Sequence, residues 1–328
     1  MMFRRFYSFL LFFAPVLSVS LFAQSAPFEE KGVSEHQWTW GIGGANVLDT
    51  YLSPLEYVGP DFAVTHRTER LARWGKGNVT THAFYSAHFA YLHSPTDDAK
   101  ELDSELTASG GWLYNFRPSS HWRFGVGGLM ELTTGFTYNT RGTNNPAQGR
   151  LGTSLLASVL AEYHFKLKKR DALARITLDA PMLGVQFSPE YGQSYYEIFS
   201  LGHTSGILHF THPGNAPTCR LAATVQLPLA GARITLGYAG DVRQFDSAGL
   251  KRHAWRNCFL IGYTRQLKLL RKCHNEHPSR PSDCPLFSSK TSSRETLPPT
   301  SSASSLVRRK PDTRLLRHGR RARRHPGR

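Results

Sequence analysis

The sequence predicts an all-β protein: an antiparallel transmembrane β-barrel of about 10–12 strands with a disordered C-terminal tail. Three observations predict it. Arg4 and Arg5 precede a largely apolar run from Phe6 to Phe22 that ends in the small residue Ala23, the layout of a cleavable secretory signal peptide. After that run, no apolar stretch reaches the roughly 20 residues that a membrane-spanning helix needs. The mature region is instead a series of segments alternating apolar and polar residues, many opening or closing on an aromatic.

Residues 1–23 are the expected signal, residues 24–35 a short lead-in, and residues 36–268 the barrel. Alternation begins with Trp38, Trp40 and Ile42 on one face against Gln37, Thr39 and Gly41 on the other. Tyr85, Ala87, Phe89 and Tyr91 next oppose Phe84, Ser86, His88 and Ala90. The clearest segment sets Trp122, Phe124, Val126, Gly128, Met130 and Leu132 against Arg123, Gly125, Gly127, Leu129 and Glu131. Ala161, Tyr163 and Phe165 alternate with Glu162, His164 and Lys166, and Ala174, Ile176 and Leu178 with Arg175, Thr177 and Asp179. Two late segments, around Ile234–Tyr238 and Trp255–Tyr263, repeat the code.

Period two places each set on its own face of a sheet. Arg123, Glu131, Glu162 and Arg175 need water, so their face should line a lumen, and the aromatic face should meet lipid. A soluble β-sandwich alternates as well. Strands of about 10 to 16 residues, with Trp or Tyr near their ends like an interfacial girdle, favour the barrel. Turn chemistry separates the strands at Gly75–Asn78, Ser94–Asp98, Arg117–Ser120, Lys168–Asp171 and Ala230–Gly231. The polar stretch Asn139–Gly149 reads as an extracellular loop. At roughly 20 to 24 residues per strand and connection the count should be even, with twelve favoured over ten.

The net charge of +16 suggests a nucleic-acid partner until it is mapped. Residues 271–328 hold 15 Lys/Arg against 4 Asp/Glu, whereas residues 24–270 hold 23 against 20. The body is nearly neutral. The segment 269–328, rich in Ser, Pro, Thr and Arg, cannot bury a core and should be disordered. A long tail after a closing aromatic strand is unusual for barrel assembly, and a displaced reading frame would account for it. No aromatic interleaves the arginines from Arg317 to Arg328, so a nucleic-acid partner is not expected. Four cysteines, Cys219, Cys258, Cys273 and Cys284, are too few for a dense disulfide framework, and Cys219 and Cys258 are expected unpaired.

The stretch Asp49–Gly59 (DTYLSPLEYVG) resembles the opening of a family of uncharacterised Gram-negative outer-membrane proteins, domain of unknown function 3316. Tyr195–Phe210 and Leu236–Val242 look like the same family. The resemblance spans about Gln37 to Leu267. It implies an outer-membrane barrel and brings neither an activity nor catalytic residues.

Candidate chemistry is sparse. His203 and Ser205, two apart on an expected strand, would share a face, so that the imidazole can activate the hydroxyl as in a lipid hydrolase of the deacylase or phospholipase kind. The pattern departs from the phospholipase one after the serine, where Gly206 and Ile207 follow. The alternation puts His203, Ser205 and His209 on the lumen side, opposite Leu208 and Phe210, and Glu197 or Asp241 would be the orienting acid. Ordinary lumen-lining residues are the better account. Asp49 and Glu56 flank a turn and are candidate ligand or cation binders, though pairing with Arg67, Arg70 or Arg73 is the simpler expectation. Arg123, Glu131 and Arg175 are further lumen candidates. Histidines are many, but His82 and His88 lie six apart, so no metal and no cofactor are expected. The chain therefore reads as a non-enzymatic barrel with a structural role or one in small-solute passage or binding. Its expected partners are outer-membrane lipid and the barrel-assembly machinery. The alternatives are the lipid hydrolase and a secreted sandwich adhesin.

Overall fold

Among the described residues, alternating segments pair side by side into eleven antiparallel strands. The computed structural model of the protein describes residues 32–142, 145–229, 232–247 and 249–268. The expected signal and tail lie outside them. The strands are β1 (Val33–Asp49), β2 (Glu56–Leu71), β3 (Val79–His93), β4 (Lys100–Phe116), β5 (Trp122–Asn139) and β6 (Ala147–Leu167). After β7 (Arg170–Phe187) come a short helix, α1 (Tyr195–Phe199), then β8 (Leu208–Thr211), β9 (Cys219–Leu229), β10 (Ala232–Ser247) and β11 (Leu250–Lys268). Each strand from β1 to β7 pairs with its successor, and β9, β10 and β11 follow in the same way. Strand β11 returns to β1 in an unbroken register from Val33↔Lys268 to Asp49↔Arg252. That closure joins the first strand to the last and excludes the sandwich.

Ten staves close the wall, at the lower end of the expected range. Six of these strands exceed the expected length, from 17 residues in β1 to 21 in β6, so the staves use more of the chain. The eleventh strand is half of a divided stave. Strand β7 pairs with β8 through Gly184–Phe187 and with β9 through Leu173–Asp179. β8 and β9 thus run along one line, separated by residues 212–218. Opposite that gap β7 carries a bulge, since Leu155 pairs with Leu183 but Leu156 with Pro181. The extra residue reverses which side chains face inward: Arg175, Thr177 and Asp179 before it, Gly184 and Gln186 after it. Proline, which cannot donate to a ladder, is tolerated there.

One end of the barrel has the longer connections, above all residues 188–207, which contain α1. At the other end β6 and β7 join through Lys168 and Lys169, both with positive φ, as a tight two-residue hairpin turn requires. The loop expected from Asn139 is shorter than anticipated, because β5 runs through Asn139 and β6 begins at Ala147.

The two faces of the wall are inverted relative to a soluble protein. Phe259 is 77% exposed and Ile42 70%, whereas Arg123 and Arg256 are 1% exposed. An apolar belt of that extent has water as its wrong solvent and hydrocarbon as its right one. Aromatic side chains rim it: Trp38 stacks on His66 at 4.1 Å, and Trp122 lies 4.8 Å from Tyr163.

Candidate functional site

The functional candidate is the lumen, which is built by strand register. Arg123 of β5 stands directly opposite Glu162 of β6, and Glu162 directly opposite Arg175 of β7. Adjacent lumen positions on neighbouring strands bring side chains about 5 Å apart, so opposite charges placed there must meet. Arg123 Nε donates to Glu162 at 2.7 Å, and Arg175 Nε donates to its other oxygen at 2.5 Å. The layer is completed from across the barrel. Glu69 accepts from Arg123 and, at 3.1 Å, from Arg175, while Glu35 accepts from Arg175 at 2.9 Å.

A second ladder runs across five staves. Arg256 (β11), Asp241 (β10), Arg220 (β9), Asp179 (β7) and Ser158 (β6) stand opposite one another in sequence. Arg220 donates to Asp179 at 2.9 Å and reaches over to Glu131 of β5 at 2.8 Å. Arg243 pairs with Glu105 at 2.9 Å and Glu131 at 3.4 Å. Phe84 points inward between two cations, with the Arg220 guanidinium 4.3 Å and that of Arg67 5.5 Å from the ring. Toward the loop end, Asp103 accepts from Arg256 at 2.6 Å and Arg150 at 2.9 Å. Near them Val47, Tyr57, Leu92 and Ala254 form part of a small buried apolar cluster. Among the described residues the packing leaves a cavity of about 80 Å³ beside Glu131, Arg150, Arg243 and Arg252 and another of about 50 Å³ beside Arg67, Phe84, His88 and Cys258. Such spaces hold a few waters or one small solute.

The β7–β8 connection folds over the loop end. Ser194 caps α1 through a capping box with Glu197, whose carboxylate accepts from the Ser194 N–H and hydroxyl and is thereby held below its ordinary pKa. Tyr51 donates to the Gln193 carbonyl at 2.9 Å, and the Gly149 N–H donates to the Tyr195 hydroxyl at 2.6 Å. Burial, with Tyr195 and nearby carboxylates adding to it, pushes the Tyr51 phenol up to about 12.

Three of the residues singled out from sequence lie in the lumen as charged lining. Arg123 and Arg175 share Glu162 and Glu69, and Glu131 belongs to the second group of charges. Asp49 and Glu56 are separated. Asp49 is buried at the end of β1, 3.7 Å from Arg252 and 3.8 Å from Arg150, not beside Arg67, Arg70 or Arg73. Glu56 is exposed and pairs with His253 at 3.3 Å. The strand expected through His203 and Ser205 is a correction. The short helix and its capped turn occupy Tyr195–Phe199, and only Leu208–Thr211 pair as strand. His203 and Ser205 lie in the exposed loop, where the two-residue spacing no longer sets a common face. No hydrogen bond joins their side chains among the described residues. Of the two acids considered, Glu197 accepts from the His203 N–H through its backbone carbonyl, and Asp241 sits deep in the lumen against Arg243. Leu208 and Phe210 do face outward and His209 inward, as the alternation requires.

The family description "protein of unknown function (DUF3316)" matches residues 8–274, most of the chain. The chain belongs to the DUF3316 family. No curated protein matches it in sequence. Solved structures similar to this DUF3316 chain include the outer membrane protease OmpT from Escherichia coli, at 7% identity and a TM-score of 0.44, over 75% of this chain and 99% of that one. The β domain of the Bordetella autotransporter BrkA is similar at 13% identity and a TM-score of 0.37, over 71% and 99%. An outer membrane channel from Pseudomonas putida F1 is similar at 10% identity and a TM-score of 0.32, over 76% and 100%. The DUF3316 chain is an outer-membrane-type β-barrel in its own architecture, with a lipid-facing belt and a charged interior.

The DUF3316 lumen also holds a group that the sequence did not reveal. Asp61 (β2), His88 (β3) and Cys258 (β11) come together, with one donor atom from each within 4.8 Å of the others. Asp61 and Cys258 both stand opposite Gly43, one on either side of β1. A Cβ on Gly43 would lie 1.7 Å from the Asn257 carbonyl oxygen, so only glycine permits this approach.

Proposed function

We propose that this chain is a non-enzymatic, plugged outer-membrane barrel with a structural role, one that binds a small polar solute at its loop-side mouth and does not pass solutes freely. Its export by a signal peptide cleaved near residue 23 and its insertion by the barrel-assembly machinery, reading the aromatic strand β11, belong to the same proposal. The observation that carries it is the filled cross-section. Arg123, Glu162, Arg175, Glu69 and Glu35 reach across the lumen and satisfy one another. A barrel of about ten staves has an interior narrow enough for side chains to fill. The cavity beside Glu131, Arg150, Arg243 and Arg252 offers both charge signs to a zwitterionic or polar guest.

Conductance across a planar lipid bilayer tests the reading. The wild-type chain should insert without stepwise ion current. The combined substitution of Arg123, Glu162 and Arg175 by Ala, which removes one complete rung, should produce a steady current. Stable single-channel steps from the wild-type chain would overturn the proposal.

A further inference from the structure

We propose that Asp61, His88 and Cys258 form a binding site for a divalent transition-metal ion of the zinc class inside the barrel. The His88 Nδ1 lies 3.0 Å from Asp61 Oδ2, and the Cys258 thiol, 3.2 Å away, donates to the same oxygen. Ligand atoms around a tetrahedral zinc ion, with bonds of about 2.0 to 2.3 Å, stand about 3.5 Å apart. Two of the three separations already sit at that scale and the third lies within 4.8 Å, so side-chain adjustment alone can admit the ion. Thiolate, imidazole and carboxylate together select zinc or a similar ion over magnesium or calcium, which take oxygen ligands.

Burial argues in the same direction. Asp61 is 1% exposed and Cys258 2%, and Asp61 Oδ1 is a buried oxygen with no hydrogen-bond donor. A carboxylate enclosed beside a weak thiol donor, with one oxygen unserved, is a costly arrangement. A doubly charged cation against a thiolate, a carboxylate and a neutral imidazole leaves no net charge and offsets the cost of the unserved oxygen. The thiol proton leaves to solvent as the ion binds. His88 and Cys258 also border the cavity of about 50 Å³, so a fourth coordination position opens onto space where a water or small solute fits. Gly43, in the strand between Asp61 and Cys258, presents no side chain that would part them.

The test uses cobalt as a spectroscopic stand-in. The full-length chain, with Cys219, Cys273 and Cys284 replaced by Ser, is extracted in detergent, stripped with chelator and titrated with Co²⁺. A near-ultraviolet thiolate-to-cobalt absorption band should rise, saturate at a single ion per chain and disappear when Zn²⁺ is added. Cys258→Ser should abolish the band, and Asp61→Asn or His88→Gln should weaken binding at least about tenfold. Heat-dependent gel mobility identifies folded barrel in every sample. A folded chain without the band, or a band unaltered by Asp61→Asn and His88→Gln, overturns the proposal.

Discussion

The outer and inner surfaces of this wall are drawn from alternate residues of the same strands, yet they obey different rules. Outside, Ile42, Phe259 and Met130 each touch mainly the solvent, here lipid, and any apolar side chain serves. Inside, charged groups are matched to particular partners, as Glu162 is to Arg123 and Arg175. The comparison teaches that composition secures the outside and identity secures the inside. One surface can drift in sequence and keep its function; the other cannot lose one member without stranding its neighbours.

The sharpest way to break that contrast is Glu162→Ala. Two buried guanidiniums lose their common acceptor, and removal of one partner from a buried ion pair costs about 3–5 kcal/mol. Urea unfolding of the folded barrel in lipid vesicles should show a loss of that size. The converse trespass, Ile42→Arg in the middle of the belt, should cost about 2–4 kcal/mol by the same measurement. Phe259→Ala changes size without changing character on the 77% exposed outer position and should shift stability by only about 0.5 kcal/mol. If Phe259→Ala proved as damaging as Glu162→Ala, the distinction between the surfaces would collapse.

A further effect, confined to alkaline pH and absent at neutrality, lies outside the belt, at the loop contact. The Tyr51 phenol has its pKa raised from 10.0 to about 12, so the folded state holds its proton where the unfolded state releases it. Its contribution to stability is complete below about pH 10 and is lost as pH rises toward 12. In an alkaline ultraviolet titration, the difference between wild type and Tyr51→Phe should contain one phenol ionising later than a free tyrosine. An ordinary midpoint for that phenol would show that the 188–207 connection does not enclose it.

Much of the wall was legible because charge and alternation coincide. On β5, Arg123 and Glu131 fall among Trp122, Phe124, Met130 and Leu132 at strict period two, so their side of the sheet could be read directly. The segment around His203 misled because its residues alternate by accident; Ser194 with Glu197 is a helix start, and the strand begins only at Leu208. The divided stave was hidden for a related reason. The bulge at Met182 reverses the inward set within a single strand, and alternation cannot report a reversal it does not contain. The trio of Asp61, His88 and Cys258 was out of reach altogether. Asp61 lies 27 residues from His88 and 197 from Cys258, and its meeting with Cys258 depends on barrel closure.

The ladders of opposed charges also carry information about assembly. An alternating apolar pattern is blind to any slip of two residues, because every side chain keeps its face. The charges are not blind to it. Sliding β9 by two against β10 would set Asp241 against Ala222 or Thr218 in place of Arg220. The same slip between β5 and β6 would give Arg123 a neighbour in Leu160 or His164 instead of Glu162. Each ladder therefore works as a vernier: hydrophobic alternation tells a strand which way to face, and the rungs tell it where along its neighbour to stop.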